Sequence, residues 1–209
     1  MKLTSSSFDD GGAIPAQYAF CAPDPKSHAT LSANQNPHLA WNQVPMGAKS
    51  FVVLCHDPDV PSKGDDVNQE GRTVPKALPR VDFFHWVLVD LPASAVGVSV
   101  GEFSSSVTAR GKAGPRAPHG ARQGINDYTG WFATDHDMSG DYYGYDGPCP
   151  PWNDEIAHRY VFTVFALDVG RLALEGRFSG PDVRTAVEGH VLAQASITGR
   201  YTLNPAVKL

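Results

Sequence analysis

The sequence predicts a mainly β fold, and three observations carry that prediction. Ser50 to Cys55, Phe83 to Leu91 and Tyr160 to Leu167 are short apolar runs rich in β-branched or aromatic residues. The last two are apolar at both alternating sets of positions, as strands covered on both faces are. The chain also holds 20 glycines and 17 prolines in 209 residues. That share is well above the ordinary one and implies many turns and long loops.

Weaker strand signals lie at Leu39 to Trp41 and Gly97 to Phe103. Pro92 closes the second strong strand, because proline cannot donate to a ladder. Pro181 to Ala195 reads as a helix. Pro181 suits its first position, and Val183, Val187 and Val191 repeat at i, i+4 and i+8. Between Ser104 and Pro151 runs a long Gly-rich stretch without strong periodicity, the kind of loop that usually serves function. No low-complexity linker and no internal repeat divides the chain, so one domain over residues 1–209 is expected.

Composition narrows the function. Hydrophobic residues make 42% and charged residues 19%, which suits a packed core rather than disorder. A formal charge of −5 argues against a nucleic-acid partner, which calls for a basic face. Any anion site must be local, made of a few aimed donors. Cys21, Cys55 and Cys149 are odd in number and fit no zinc spacing, and no apolar leader or membrane-length run is present. The expectation is a cytoplasmic chain with three free thiols and no transmembrane segment. No dinucleotide loop, P-loop or primed nucleophile is visible, so neither a cofactor nor an enzyme activity is expected.

Three polar residues sit at ends of the strong strands. Asp57 follows the first, His85 lies near the start of the second, and His158 precedes the third. In an antiparallel sheet the end of one strand lies beside the start of its neighbour. Asp57 and His85 can therefore share one rim, with His158 joining from a strand on the other side of Asp57. A carboxylate with two imidazoles would favour an imidazolium able to donate to phosphate oxygens. The residue pattern alone allows a turn aspartate equally well, and a histidine in an apolar strand is more often a hydrogen-bonded core residue than a ligand group.

Four motifs, in order, shift that balance. Asn36-Pro37-His38-Leu39-Ala40-Trp41, Asp57-Pro58-Asp59-Val60-Pro61, Phe84-His85-Trp86-Val87 and Gly147-Pro148-Cys149-Pro150-Pro151 followed by His158-Arg159-Tyr160 resemble the phosphatidylethanolamine-binding (Raf-kinase-inhibitor-like) family. The proline pair and Gly-rich insert resemble its bacterial branch. The resemblance implies a two-sheet β-sandwich with a C-terminal helix. It also implies a small pocket for phosphate, acetate or a phosphoethanolamine headgroup. By motif position the pocket residues are Asp57, His85, Gly147, Pro148 and His158, with Asp59 and Tyr160 supporting. Docking on a kinase or protease is the alternative role the resemblance implies, and a homodimer is the implied assembly. The insert Trp152 to Ala157 departs from the family pattern and brings Asp154 and Glu155 near the expected mouth.

Three other candidates compete. Asp135, Asp137, Ser139 and Asp146, with Gly140 at position six, follow the spacing of a calcium loop, although the twelfth position carries Asp where Glu reaches better. Arg110, Lys112, Arg116 and Arg122 form a basic stretch with no acid, which reads as a solvated loop or a contact for a phosphorylated partner. Cys149 with His158 raises a thiol-enzyme reading, set against its flanking prolines and the lack of an orienting third group.

Overall fold

The structure is a computed structural model describing residues 1–209. Its strands are β1 (Lys2–Thr4), β2 (Cys21–Asp24), β3 (His28–Leu31), β4 (Leu39–Asn42), β5 (Ser50–Pro61), β6 (Arg80–Pro92), β7 (Gly97–Val98), β8 (Arg122–Gln123), β9 (His158–Leu167) and β10 (Val191–Tyr201). The helices α1 (Tyr128–Trp131) and α2 (Gly180–Ala186) are short. The three apolar runs are neighbours in one antiparallel five-stranded sheet of order β10-β9-β5-β6-β8. β1, β4 and β7 form a three-stranded sheet, and β2 pairs with β3 as a separate hairpin.

Burial on both faces explains the doubly apolar pattern of the central strands. Phe51 and Val53 of β5, Trp86 and Leu88 of β6, and Phe162 and Val164 of β9 pack with Trp41 and Leu39 from the three-stranded sheet. On the opposite face, Val52, Leu54, Val87 and Val89 pack against Val183 and Val187 and the segment carrying Leu172 and Phe178. Each buried aliphatic side chain contributes about 1.5–3 kcal/mol, so this sheet is the rigid part from which the site is hung.

The predicted helix from Pro181 to Ala195 is corrected. Helix α2 ends at Ala186, Gly189 takes a φ of +80°, and Val191 begins strand β10. Ser179 and Asp182 close a capping box at its start. Pairing of β10 with β9 over ten residues outweighs the local valine spacing, so the C-terminal element is a strand. The strand expected over Gly97 to Phe103 is only Gly97–Val98. Beyond it Glu102 turns back to bond the Ser99 backbone, and Gly101 adopts a φ of +74°.

The basic stretch is solvated in part: Arg110 and Arg116 are exposed, and the other two cations turn inward. Lys112 reaches the buried Asp146, and Arg122 is buried against Asp90 and the carbonyls of Leu172 and Leu174. Asp146 does not close a metal loop either. Its two carboxylate oxygens take Asn34, Asn126 and Lys112 inside the protein.

The expectation of three free thiols fails. Cys21 and Cys149 form a disulfide across 128 residues with Cα atoms 4.9 Å apart, and only Cys55 is free and buried. The pairing also removes the thiol-enzyme reading of Cys149 and the premise on which a reducing compartment was expected. Thiol titration of the denatured, unreduced protein is expected to find one free thiol, and three would contradict the pairing. Cys149→Ser is expected to cost about 2–5 kcal/mol of stability, measured by chemical denaturation.

Candidate ligand-binding site

The site begins with two irregularities in the β5–β6 ladder. Cys55 pairs with Trp86, yet the next residue, His56, pairs with Phe84. The residue skipped on β6 is His85. This bulge turns His85 to the same side as Trp86, where strict alternation would send them to opposite faces. The second irregularity falls between Asp57 and Val60, where Pro58 interrupts donation to the ladder. There the Asp59 amide turns back to donate to Asp57 Oδ1 at 2.7 Å.

Strand β9 lies on the other side of β5 and brings His158 to Asp57. His158 Nδ1 meets Asp57 Oδ2 at 2.6 Å, and Nε2 meets Asp154 Oδ2 at 3.1 Å. All three side chains are buried. Arg80, at the start of β6, binds both Asp154 oxygens at 2.5 and 3.0 Å and also donates to the Asp59 carbonyl. Asp59 is held by Arg159 through two side-chain bonds of 2.8 Å. Three acids and three bases thus alternate, and the cluster is neutral when His158 is charged. Burial opposes that charge, but Asp57 and Asp154 outweigh it and raise the imidazole to about 9.

His85 is the opposite case. Burial, the largest influence, pushes it down to about 4, only partly offset by the Asp57 carboxylate and the carbonyls of Asp146 and Gly147. Its Nδ1 lies 2.7 Å from the Asp146 carbonyl oxygen. A carbonyl only accepts, so Nδ1 carries the hydrogen and Nε2 keeps a lone pair. The ring sits edge-on to Tyr128 and Tyr160. The Tyr160 hydroxyl is buried beside the Asp57 carboxylate but out of hydrogen-bond geometry, and has no partner.

Above these groups opens a cavity of about 460 Å³, the size of a small-ligand site. Asp57, His85, His158 and Tyr160 line its floor, and Phe20, Phe83, Tyr128 and Phe132 line its sides. The Cys21–Cys149 bridge, Pro150 and Pro151 form another wall, while Leu31, Trp131 and Lys63 stand at the exposed mouth. Lys63 is the only cationic side chain on the lining apart from the committed His158.

Of the residues expected from sequence, Asp57, His85, His158 and Tyr160 come together on this floor. Gly147 and Pro148 stand behind the wall. The Gly147 amide donates to Asn34 and its carbonyl accepts from Tyr128, while the Pro148 carbonyl accepts from the Phe20 and Cys21 amides. A Cβ on Gly147 would stand 2.1 Å from the Tyr18 carbonyl oxygen, so only glycine fits this crossing. His158 does not donate to a ligand, because both its nitrogens are already bonded. Asp59 supports from below through Arg159. Sequence reasoning missed Arg80 and Tyr128, read Asp146 only as a calcium-loop candidate, and placed Asp154 at the mouth. Asp154 is a fully buried partner of His158 and Arg80, whereas Glu155 is exposed and caps the Lys76 amide.

Removing one acid from this buried cluster leaves a cation without its partner. Asp154→Ala is therefore expected to cost about 3–5 kcal/mol, read from denaturation midpoints. The raised His158 value also sets a pH dependence. Its charged form is bound more tightly in the folded state, so the stabilisation is complete below the unfolded value near 6.5 and is lost as pH rises through about 9. Denaturation from pH 6 to 10 is expected to show that fall, and Asp57→Asn is expected to shrink it. An unchanged fall in Asp57→Asn would mean His158 is not the group responsible.

Comparison with known proteins agrees with this architecture. The family model described as phosphatidylethanolamine-binding protein matches residues 4–202. UPF0098 protein YbhB of Escherichia coli K12 is 34% identical over 202 residues, covering 97% of this chain and 100% of the relative. A UPF0098 protein of Methanothermobacter thermautotrophicus is 35% identical over 201 residues, covering 96% and 98%. The crystal structure of E. coli YbcL, described as a new member of the mammalian PEBP family, superposes with a TM-score of 0.67 at 28% identity, covering 96% and 97%. No helix of the structure is long and apolar enough to cross a membrane. With a family match across nearly its whole length and bacterial and archaeal relatives aligned end to end, the chain belongs to the phosphatidylethanolamine-binding protein family and resembles its bacterial-type members.

Proposed function

We propose that the cavity binds a small ligand with an oxyanionic head (phosphate, phosphoethanolamine or a phospholipid headgroup) and releases it unchanged. The observation that carries this reading is at the floor of the cavity. There His85 keeps a free imidazole nitrogen at the edge of an apolar space, with the Tyr160 hydroxyl buried beneath it beside the Asp57 carboxylate. A buried ring nitrogen left unpaired is costly, so a ligand atom that pairs with it gains free energy that water-exposed groups do not offer. The aromatic walls suit an apolar or small organic substituent on that head. Binding without turnover is supported by the commitments of two polar groups that could otherwise serve chemistry, which leaves the His85 nitrogen as the ligand's acceptor. His158 has both nitrogens tied to carboxylates, and Cys149 is in a disulfide, so neither is available as base or nucleophile.

Calorimetry with phosphoethanolamine tests the reading. A dissociation constant on the order of micromolar to millimolar is expected, since a small head makes few contacts. His85→Ala is expected to weaken binding by about 1–3 kcal/mol. Equal affinity in the wild type and in His85→Ala would place the ligand elsewhere.

A further inference from the structure

The hydrogen positions on the cavity floor select among oxyanions more sharply than charge does. His85 Nδ1–H is spent on the Asp146 carbonyl, so Nε2 offers the ligand a lone pair and no hydrogen. The Tyr160 hydroxyl lies buried beside the Asp57 carboxylate and presents almost no surface to a ligand. A ligand head that satisfies Nε2 must therefore donate a hydrogen bond to it. No free cation balances a second negative charge here. Arg80 and Arg159 are paired with Asp154 and Asp59, His158 lies between Asp57 and Asp154, and Lys63 is exposed at the mouth. Burying a dianion against a neutral floor would carry the full desolvation cost of the extra charge.

We infer that the cavity takes oxyacid monoesters that bring their own acidic hydrogen, such as a phosphomonoester monoanion, and discriminates against oxyanions of the same charge that have none. Sulfate monoesters and phosphodiesters, the intact phospholipid linkage included, fall in the second group. The inference rests on the binding reading above and chooses among its ligands. In this arrangement the ligand hydroxyl donates to His85 Nε2. Titratable groups face His85 from every element packed against it. Asp57 lies on β5, Tyr160 and His158 on β9, Tyr128 on α1, and the Asp146 carbonyl holds Nδ1. With the imidazole neutral down to about 4, the proton shared at Nε2 comes from the ligand.

Three ligands of one shape separate the possibilities: phenyl phosphate, phenyl sulfate and methyl phenyl phosphate. At pH 5 all three are chiefly monoanions, because the second ionisation of a phosphomonoester lies near pH 6. Calorimetry on the wild-type protein at pH 5 is expected to give phenyl phosphate an affinity at least about ten-fold above the other two, the worth of one buried hydrogen bond. Between pH 6 and 8 its affinity is expected to fall about ten-fold per unit as the monoanion disappears. His85→Gln places an N–H₂ donor where the lone pair was and is expected to narrow the gap between phosphate and sulfate. Equal binding of all three ligands, or phenyl phosphate binding that does not weaken toward pH 8, would overturn the inference and leave the binding reading standing. Binding of none of them at either pH would overturn the oxyanion reading and the inference together.

Discussion

One buried cation organises this protein. His158 is enclosed between the carboxylates of Asp57 and Asp154. Without its charge those two acids would stand close together in a dry interior, a costly arrangement. The clamp joins strand β5, strand β9 and the turn that carries Asp154. Arg80 extends it to the start of β6, and it is the point where the ladder of the central sheet gives way to loops. Because every acid in the cluster has a cation, the cavity floor is electrically balanced before any ligand arrives. Burial keeps His85 a neutral acceptor, although it lies one strand from a carboxylate.

The walls are tied as firmly as the floor. The β2–β3 hairpin is anchored at its base by the Cys21–Cys149 bridge and by the Phe20 and Cys21 amides on the Pro148 carbonyl. Near its turn, His28 stacks on Trp152 with ring centres 3.9 Å apart and reaches Glu70. Asn153 gathers the carbonyls of Asp66 and Arg72 and the amide of Asn68 into the neighbouring loop. A cavity framed this way is largely formed in advance, so little ordering remains to oppose binding. The interior polar groups of the long Gly-rich region serve the same end. Asp146 gathers Asn34, Asn126 and Lys112 through its carboxylate and orients His85 through its carbonyl.

Much of this was legible in the sequence, for local reasons. Doubly apolar runs announce covered strands, and the placement of Asp57 and His158 on antiparallel neighbours announces their meeting, although β5 runs on to Pro61 and carries Asp57 within it rather than at its end. What escaped depended on geometry that no short window contains. The His85 bulge changes the facing of one residue without changing composition. The Cys21–Cys149 pairing spans 128 residues and cannot be read from spacing. Asp154 looked like a mouth acid because its sequence context does not say that Arg80, 74 residues away, meets it. Val183, Val187 and Val191 fit a helical repeat, but Gly189 divides them between a helix and a strand whose partner is β9. In each case a distant contact overrode a local preference.

The central claim is that the two imidazoles hold opposite states: His158 charged and fully bonded, His85 neutral with its hydrogen on Nδ1 and its Nε2 open to the cavity. Two-bond nitrogen–proton correlation NMR on protein labelled with ¹⁵N at histidine reads both directly. At pH 7 the account predicts an imidazolium pattern for His158 and a neutral Nδ1–H tautomer for His85. A charged His85, or a neutral His158, at that pH would contradict it.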